Sequence, residues 1–127
     1  MIINKIEDLK GKKVGYSVSG FETVLLDAML KSANLSEKDV ELVNVNFSLS
    51  PSLMSKQVDA VIGAFRNFEL NQLKLEKEEG KVFLPEDYGV PKYDELIVVA
   101  NKDTISQAKY KNFVKSLQEA TNYLKEN

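Results

Sequence analysis

The sequence predicts an α/β fold in which an open, mostly parallel sheet carries helices on both faces. Strand-like and helix-like runs alternate along the 127 residues. Residues 58–63 are mostly apolar, which is typical of a strand covered on both faces. The runs between successive strands have helical spacing, and right-handed helical crossovers make the strands that they join parallel.

The first half of the chain predicts two strands around one helix. Residues 12–17 form a short strand-like run that ends in a turn at Gly20. Apolar residues then recur at helical spacing over residues 21–33. After a break, residues 40–45 alternate and are rich in β-branched types, so they predict the second strand.

The second half continues the same order. Ser50 predicts a helix N-cap and Pro51 a first helical residue, so a short helix precedes the third strand. Asn67 predicts the start of a further helix. Two more strands, over residues 81–84 and 95–100, and a long amphipathic final helix complete the pattern. The last of these strands could run antiparallel.

Composition excludes several classes of function. The net charge is -2 and the isoelectric point is near 5.3, so there is no broad positive field and we expect no nucleic-acid partner. The chain has no cysteine and no histidine, which excludes the usual zinc sites and the Ser-His-Asp and Cys-His arrangements. We expect no catalytic residue, no metal and no cofactor. Without an apolar run of signal-peptide length, the sequence also predicts no targeting signal in this chain.

The turn after the first strand is one candidate binding element. Ser17, Ser19 and Gly20 precede a helix whose first backbone N–H groups could hold an anion or the polar edge of a ligand. A structural interpretation is equally open, because Ser19 and Glu22 have the spacing of a capping box. Glu22 would also bring negative charge to the positive end of the helix dipole, which disfavours phosphate more than a neutral ligand.

The turn after the third strand is the second candidate. It brings a cation, an amide, a carboxylate and two aromatics together: Arg66, Asn67, Glu69, Phe65 and Phe68. A carboxylate accepts from a ring amine, an aromatic stacks on the ring, and an arginine or amide reads the remaining acceptors. The cluster therefore suits a flat polar heterocycle. In the alternative, structural interpretation Glu69 complements the helix dipole, Arg66 forms a surface ion pair and the phenylalanines belong to the core.

Both turns lie in segments that resemble a known family. Residues 8–15, 17–21, 58–69 and 89–96 are similar to the periplasmic binding proteins that serve importers of hydroxymethylpyrimidine and related thiamine precursors. Sulfonate- and nitrate-type binding proteins share the opening of the first segment and the Val-Asp-Ala strand. The Arg-Asn-x-Glu motif at residues 66–69 narrows the resemblance to the pyrimidine branch.

The resemblance implies one lobe of a type II periplasmic binding protein fold. Residues 1–104 would form the second, substrate-binding lobe, and residues 105–127 a C-terminal helix after the return crossover. The first lobe would be missing, and we expect the bare apolar surface to promote self-association. The implied partners are a small-molecule pyrimidine ligand and an ABC importer permease, and the longer parent would be periplasmic or tethered to the cell envelope. The implied ligand-binding residues are Ser17, Ser19, Gly20, Phe21, Arg66, Asn67, Glu69 and Tyr93.

Other functions compete with this one. Eukaryotic proteins that resemble this chain in fold synthesise the pyrimidine from a histidine of their own and pyridoxal phosphate, with a cysteine-rich motif. This chain has neither residue type, so the resemblance implies a binding protein and not an enzyme. The main alternative is a flavodoxin-like FMN-binding electron carrier, because residues 17–23 resemble a phosphate-cradling turn. A late first strand, no tryptophan and no evident aromatic pair speak against it. A response-regulator receiver would need acidic residues at the strand ends, where the first turn offers serines.

Overall fold

A computed structural model of the protein describes residues 3–127. Within that range, strands and α-helices follow one another as β1 (Lys13–Tyr16), α1 (Glu22–Ser32), β2 (Glu41–Asn44), α2 (Leu49–Met54), β3 (Ala60–Val61), α3 (Glu69–Leu75) and α4 (Ala108–Glu126). Short 3-10 turns occupy Ile6–Leu9, Glu37–Asp39 and Pro85–Tyr88. Each strand is short, and each of the three is followed by a helix.

The strands form one parallel sheet in the order β2-β1-β3. In its register, Val14 of β1 lies opposite Leu42 of β2 and Ala60 of β3. Parallel neighbours cannot be joined by a tight turn, and α1 and α2 supply the crossovers that they require. The predicted α/β class with an open parallel sheet is confirmed.

Alternate strand residues build two apolar clusters on opposite faces of this sheet. On one face Val14 packs with α1, where Leu30 is completely buried. On the other face Val45 packs with Leu49 of α2 and with Val58. Burying one such side chain contributes about 1.5–3 kcal/mol. Helices therefore lie on both faces, as predicted, and the sheet that carries the candidate turns is held from both sides.

Two predicted strands are not found in the described part of the chain. Residues 81–84 and 95–100 belong to no sheet. In the second run Leu96 is 82% exposed and Val99 is 80% exposed. A β-branched apolar run becomes a strand only where a neighbour completes its backbone hydrogen bonds and covers its side chains. Neither run has such a neighbour within residues 3–127.

The start of α2 also differs from the prediction. Ser48 is the N-cap residue and α2 begins at Leu49, so Ser50 is the second helical residue and Pro51 the third. Proline is tolerated in the first turn because the N–H groups there have no partner within the helix. Ser50 does not cap the helix; its side chain is buried and its hydroxyl has no hydrogen-bond partner.

The chain divides into two compact units, one that extends to Lys92 and one that comprises Tyr93–Asn127. The first unit contains the whole sheet. The second contains α4, in which no residue is buried. The exposed large apolar side chains of α4 are Phe113, Val114, Leu117, Tyr123 and Leu124. None of the helices in the described residues has the length and apolar character needed to cross a membrane.

Candidate functional site

Three turns lie at the edge of the sheet where the carboxyl ends of its parallel strands meet, the edge at which α/β proteins bind ligands. They are the β1 turn (residues 17–21), the β2 turn (residues 45–48) and the β3 turn (residues 62–68). The backbone N–H of Phe47 donates to Ser17 Oγ at 3.2 Å and ties the β2 turn to the β1 turn. Gly63 packs against the carboxylate of Glu22, the first residue of α1. The candidate site is therefore one surface made of three adjoining turns.

Glu22 lies buried beneath this surface, between the β1 and β3 turns. It is only 6% exposed, and its Oε2 accepts hydrogen bonds from the backbone N–H groups of Ser17, at 2.6 Å, and of Val18, at 3.1 Å. Its place in the first turn of α1 also puts the negative charge at the positive end of the helix dipole. Gly63 has a φ of +90°, and a Cβ at that position would overlap the Glu22 carboxylate. One buried carboxylate thus contacts both the β1 turn and the β3 turn.

The predicted capping box between Ser19 and Glu22 is wrong. Glu22 reaches past Ser19 to Ser17 and Val18, and the N-cap position belongs to Phe21, which makes no side-chain capping hydrogen bond. The reason is that the chain stays in a tight turn until residue 21, so the helix starts too late for Ser19 to cap it.

Three backbone N–H groups of the β1 turn donate to side chains of the chain itself. Ser17 and Val18 donate to Glu22, and Gly20 donates to Thr23 Oγ1 at 3.3 Å. The buried carboxylate of Glu22 occupies the place where a phosphate-binding turn would need free N–H groups and a positive field. This arrangement disfavours the phosphate cradle on which the FMN alternative depends. Ser19, Gly20 and Phe21 remain exposed at the edge.

The β3 turn repeats part of this arrangement. Glu69 is the first residue of α3, and its Oε2 accepts the backbone N–H of Phe65 at 2.6 Å. The N–H groups of Phe68 and Glu69 donate to the carbonyl of Phe65, both at 3.1 Å. Glu69 is half-buried, unlike Glu22. It therefore starts the helix, as the structural interpretation requires, while the residue remains partly accessible to solvent.

Arg66 forms the ion pair that the structural interpretation predicts. One guanidinium NH2 group donates to both carboxylate oxygens of Glu86, at 3.0 and 3.1 Å. The pKa of Glu86 is held below its ordinary value, first by its own backbone N–H and then by Arg66. The carbonyl of Asn67 accepts from the Asn71 side chain at 2.9 Å, which leaves the Asn67 amide side chain outside that bond. The pair with Glu86 fixes the direction of Arg66 without using all of its donors.

The aromatic side chains of the candidate site are exposed. Phe21 is 44% exposed, Phe65 39% and Phe68 63%, so these phenylalanines do not belong to the core. Tyr93, also named as a ligand-binding residue, lies in the second unit and is 46% exposed. The ligand-binding roles of these residues, of Arg66 and of the others named from the sequence stay predictions.

Sequence reasoning overlooked the β2 turn. Phe47 is 79% exposed there, and it follows Asn46 with both residues in the left-handed region, at φ values of 64° and 46°. Asn44 Oδ1 accepts the Asn46 N–H at 3.0 Å and stabilises the bend. The available signal was an asparagine pair around a strand end, since asparagine tolerates left-handed backbone and such turns best.

The described residues contain no group of three or more His, Cys, Asp or Glu side chains placed to hold a metal ion. The chemistry of the carboxyl edge is instead that of carboxylates, one guanidinium, hydroxyls and exposed phenyl rings. Such a set recognises a ligand by hydrogen bonds to its edge and by contact with its faces.

Known proteins are similar to this chain in sequence. A family profile described as NMT1/THI5 like matches residues 2–127. A Haemophilus influenzae protein named for thiamine biosynthesis is 68% identical over 122 residues, which cover 96% of this chain and 39% of that protein. A formylaminopyrimidine-binding protein of Halalkalibacterium halodurans is 37% identical over 101 residues, which cover 80% of this chain and 31% of that protein.

A third relative is more distant. The 4-amino-5-hydroxymethyl-2-methylpyrimidine phosphate synthase of Schizosaccharomyces pombe is 31% identical over 61 residues, or 48% of this chain and 17% of that protein. The chain spans less than half of the length of each of these curated relatives.

Proposed function

Because the chain belongs to the NMT1/THI5-like family, we propose that it binds a thiamine-related pyrimidine, such as hydroxymethylpyrimidine, at the carboxyl edge of its sheet. The observation that carries the proposal is the likeness, over 80% of the chain, to a protein named for binding formylaminopyrimidine. The relative named for thiamine biosynthesis supports the same area of metabolism. The aligned part of this chain includes a surface suited to a flat, amine-bearing ring.

The chemistry of the β3 turn supports this ligand class. A carboxylate offers about four acceptor positions, so the single hydrogen bond from Phe65 leaves Glu69 able to accept from a ring amine. The exposed rings of Phe65 and Phe68 offer apolar faces beside it. Arg66, oriented by Glu86, keeps its remaining N–H groups for ring nitrogens or a hydroxyl. These groups divide the recognition of an aminopyrimidine between its edge and its faces.

The finer proposal is that the chain serves as the ligand-binding lobe of an ABC importer's solute-binding protein. In this role it works with the other lobe of a longer parent and with a permease, and the parent is periplasmic or tethered to the cell envelope. Uptake of labelled hydroxymethylpyrimidine should then fall when the parent gene is deleted and return with the intact gene. Uptake that does not depend on the parent would overturn the transport role and leave pyrimidine binding in place.

We also propose that the chain binds its pyrimidine without transforming it. The relative named as a synthase aligns with 48% of this chain, and no histidine or cysteine is present here for acid-base or nucleophilic chemistry. Incubation of hydroxymethylpyrimidine with the protein should return it unchanged by mass spectrometry. A product that appears in proportion to protein concentration would contradict this.

Glu69 gives the sharpest test of the binding site. In the longer parent, Glu69→Gln should weaken hydroxymethylpyrimidine binding by about 1.5–3 kcal/mol, the net value of a hydrogen bond to a charged group. Glutamine keeps the shape but exchanges one acceptor for a donor. Calorimetry measures the change, and Glu76→Gln, just beyond the other end of α3, is the matched control with unchanged affinity. An unaffected affinity combined with lower stability would assign Glu69 to the start of α3 alone.

The 127-residue chain by itself should bind the same ligand weakly, with a dissociation constant near the millimolar range. One wall of a cleft leaves one face of the ring in water, whereas two-lobed receptors close over both faces. Loss of half of the contacts in a micromolar site removes about 4 kcal/mol. Calorimetry on the chain tests this, and submicromolar binding by a monomer would mean that the complete site lies within these residues.

A further inference from the structure

Phe47, at the carboxyl edge, combines an unfavourable backbone conformation with an exposed apolar ring. A bulky side chain in left-handed backbone is unfavourable, because its Cβ crowds the following carbonyl oxygen. At Phe47 the φ is 64°, and the preceding Asn46 shares the left-handed conformation. The ring is 79% exposed, so burial of the ring contributes little to offset this strain. The fold thus keeps an apolar ring in water on a strained backbone.

The surrounding bonds hold Phe47 in this conformation. Its N–H donates to Ser17 Oγ at 3.2 Å, and the Ser48 N–H donates to the Val45 carbonyl at 2.8 Å. The N–H of Asn46 is bonded to Asn44 Oδ1 at 3.0 Å. Strain that the environment enforces is concentrated in proteins at ligand-binding positions. The backbone of the β2 turn is therefore held in place by hydrogen bonds, and it presents the exposed Phe47 ring at the carboxyl edge.

We propose that Phe47 is a ligand-positioning residue whose ring packs against the flat face of the bound pyrimidine. This inference rests on the proposed function and adds the third turn to the site. β2 and β3 flank β1, so the β2 turn lies on one side of the β1 turn. The β3 turn, which leads into Glu69, lies on the other side. Glu69 then reads the amine edge of the ligand while Phe47 covers a face. Ser17 supports this position of Phe47, because its hydroxyl oxygen accepts the Phe47 N–H.

The chain contains no tryptophan, so one introduced indole reports on its own surroundings. In the 127-residue chain, the fluorescence of Phe47→Trp should shift and be quenched as hydroxymethylpyrimidine is added up to millimolar concentration. Leu75→Trp is the matched control, because Leu75 is 83% exposed at the far end of α3 and should report only absorption of light by the ligand. Equal responses of the two variants would overturn the inference.

A second variant separates strain from contact. Asparagine tolerates left-handed backbone, so Phe47→Asn should raise the melting temperature by about 2–5 °C. The same variant should weaken pyrimidine binding about tenfold, the scale of losing one aromatic stacking partner. Phe47→Tyr should keep the affinity within about twofold, because the stacking ring is retained. A Phe47→Asn chain that binds like wild type would overturn the inference even if its stability rises.

Saturation-transfer NMR of the ligand distinguishes the two proposals. Saturation of the wild-type chain should reach the pyrimidine, which establishes binding independently of Phe47. Transfer without a fluorescence response of Phe47→Trp beyond that of the control rejects the role of Phe47 and retains the binding function. Lack of transfer at millimolar ligand, repeated in the longer parent, rejects the proposed function and this inference with it.

Discussion

The β1 and β3 turns begin alike and differ in burial. In each, a glutamate is the first residue of the following helix and its Oε2 accepts a backbone N–H from four residues earlier. Glu22 is 6% exposed and accepts a second N–H from Ser17, whereas Glu69 is half-buried and accepts the Phe65 N–H. Gly63 closes over Glu22, while Phe65 and Phe68 beside Glu69 stay exposed.

This difference shows how one local pattern can serve two purposes. A carboxylate that is surrounded by its own backbone donors and covered by a neighbouring strand end is part of the scaffold, because no ligand can reach it. A carboxylate with the same first hydrogen bond but an open second side can still accept from a ligand. Burial, and not the motif, separates a structural glutamate from a candidate recognition residue.

The largest effect should come from Gly63→Ala, which disrupts the contact between Gly63 of the β3 turn and the Glu22 carboxylate. We expect a loss of about 2–4 kcal/mol in the free energy of unfolding, from left-handed strain plus the overlap of the new Cβ with Glu22. Gly89→Ala is the control: its φ is +87°, but nothing lies within 4 Å of a Cβ there. It should cost only the strain, about 1–2 kcal/mol. Urea unfolding measures both, and equal losses would show that Glu22 does not fill the space beside Gly63.

The next largest effect is the loss of stability when each of the two glutamates is replaced by glutamine. Glu22→Gln should lower the free energy of unfolding by about 1–3 kcal/mol, because the charge that strengthens both hydrogen bonds to Oε2 is lost and the other oxygen becomes a buried NH2 group. Glu69→Gln should cost less than about 1 kcal/mol, since water can reach the half-buried group. Chemical denaturation of both variants gives the comparison. If Glu69→Gln is the more destabilising of the two, the assignment of scaffold and recognition roles must be exchanged.

Much of the sheet could be predicted from sequence because it depends on short-range patterns. The apolar runs, the helical spacing between them and the turn after each strand located β1, β2 and β3 along the chain. Residues 95–100 carry the same kind of signal, yet they form no strand here, since a strand also requires a partner that the pattern cannot guarantee. The self-association expected from such exposed apolar surface stays a prediction that sedimentation can check.

The sequence predicted two of the three turns that form the candidate site, but it did not predict the hydrogen bonds that their side chains make. Parallel topology alone located the β1 and β3 turns at one edge. The spacing of Ser19 and Glu22 could not reveal that the carboxylate reaches Ser17 and Val18, because that depends on where the chain leaves the turn. The exposure of Phe47 was hidden for a related reason, since a left-handed phenylalanine contradicts local preference and is set by tertiary bonds.

The smallest effect concerns the ion pair at the rim of the β3 turn. Because folding lowers the pKa of Glu86, the stability that this carboxylate contributes is present above its unfolded pKa and is lost as the pH falls through its folded pKa. Arg66→Gln should therefore be slightly less stable than wild type at pH 7, and the two chains should converge once the pH falls below the folded pKa of Glu86 and its carboxylate is protonated. The difference should be small because the arginine is 57% exposed and the pair is screened by salt.

Thermal unfolding from neutral to acid pH measures the difference in stability between Arg66→Gln and wild type, with Lys111→Gln on α4 as a control for the loss of one surface charge. A deficit of Arg66→Gln that persists in acid would mean that Arg66 stabilises the turn through packing of its aliphatic stem and not through Glu86.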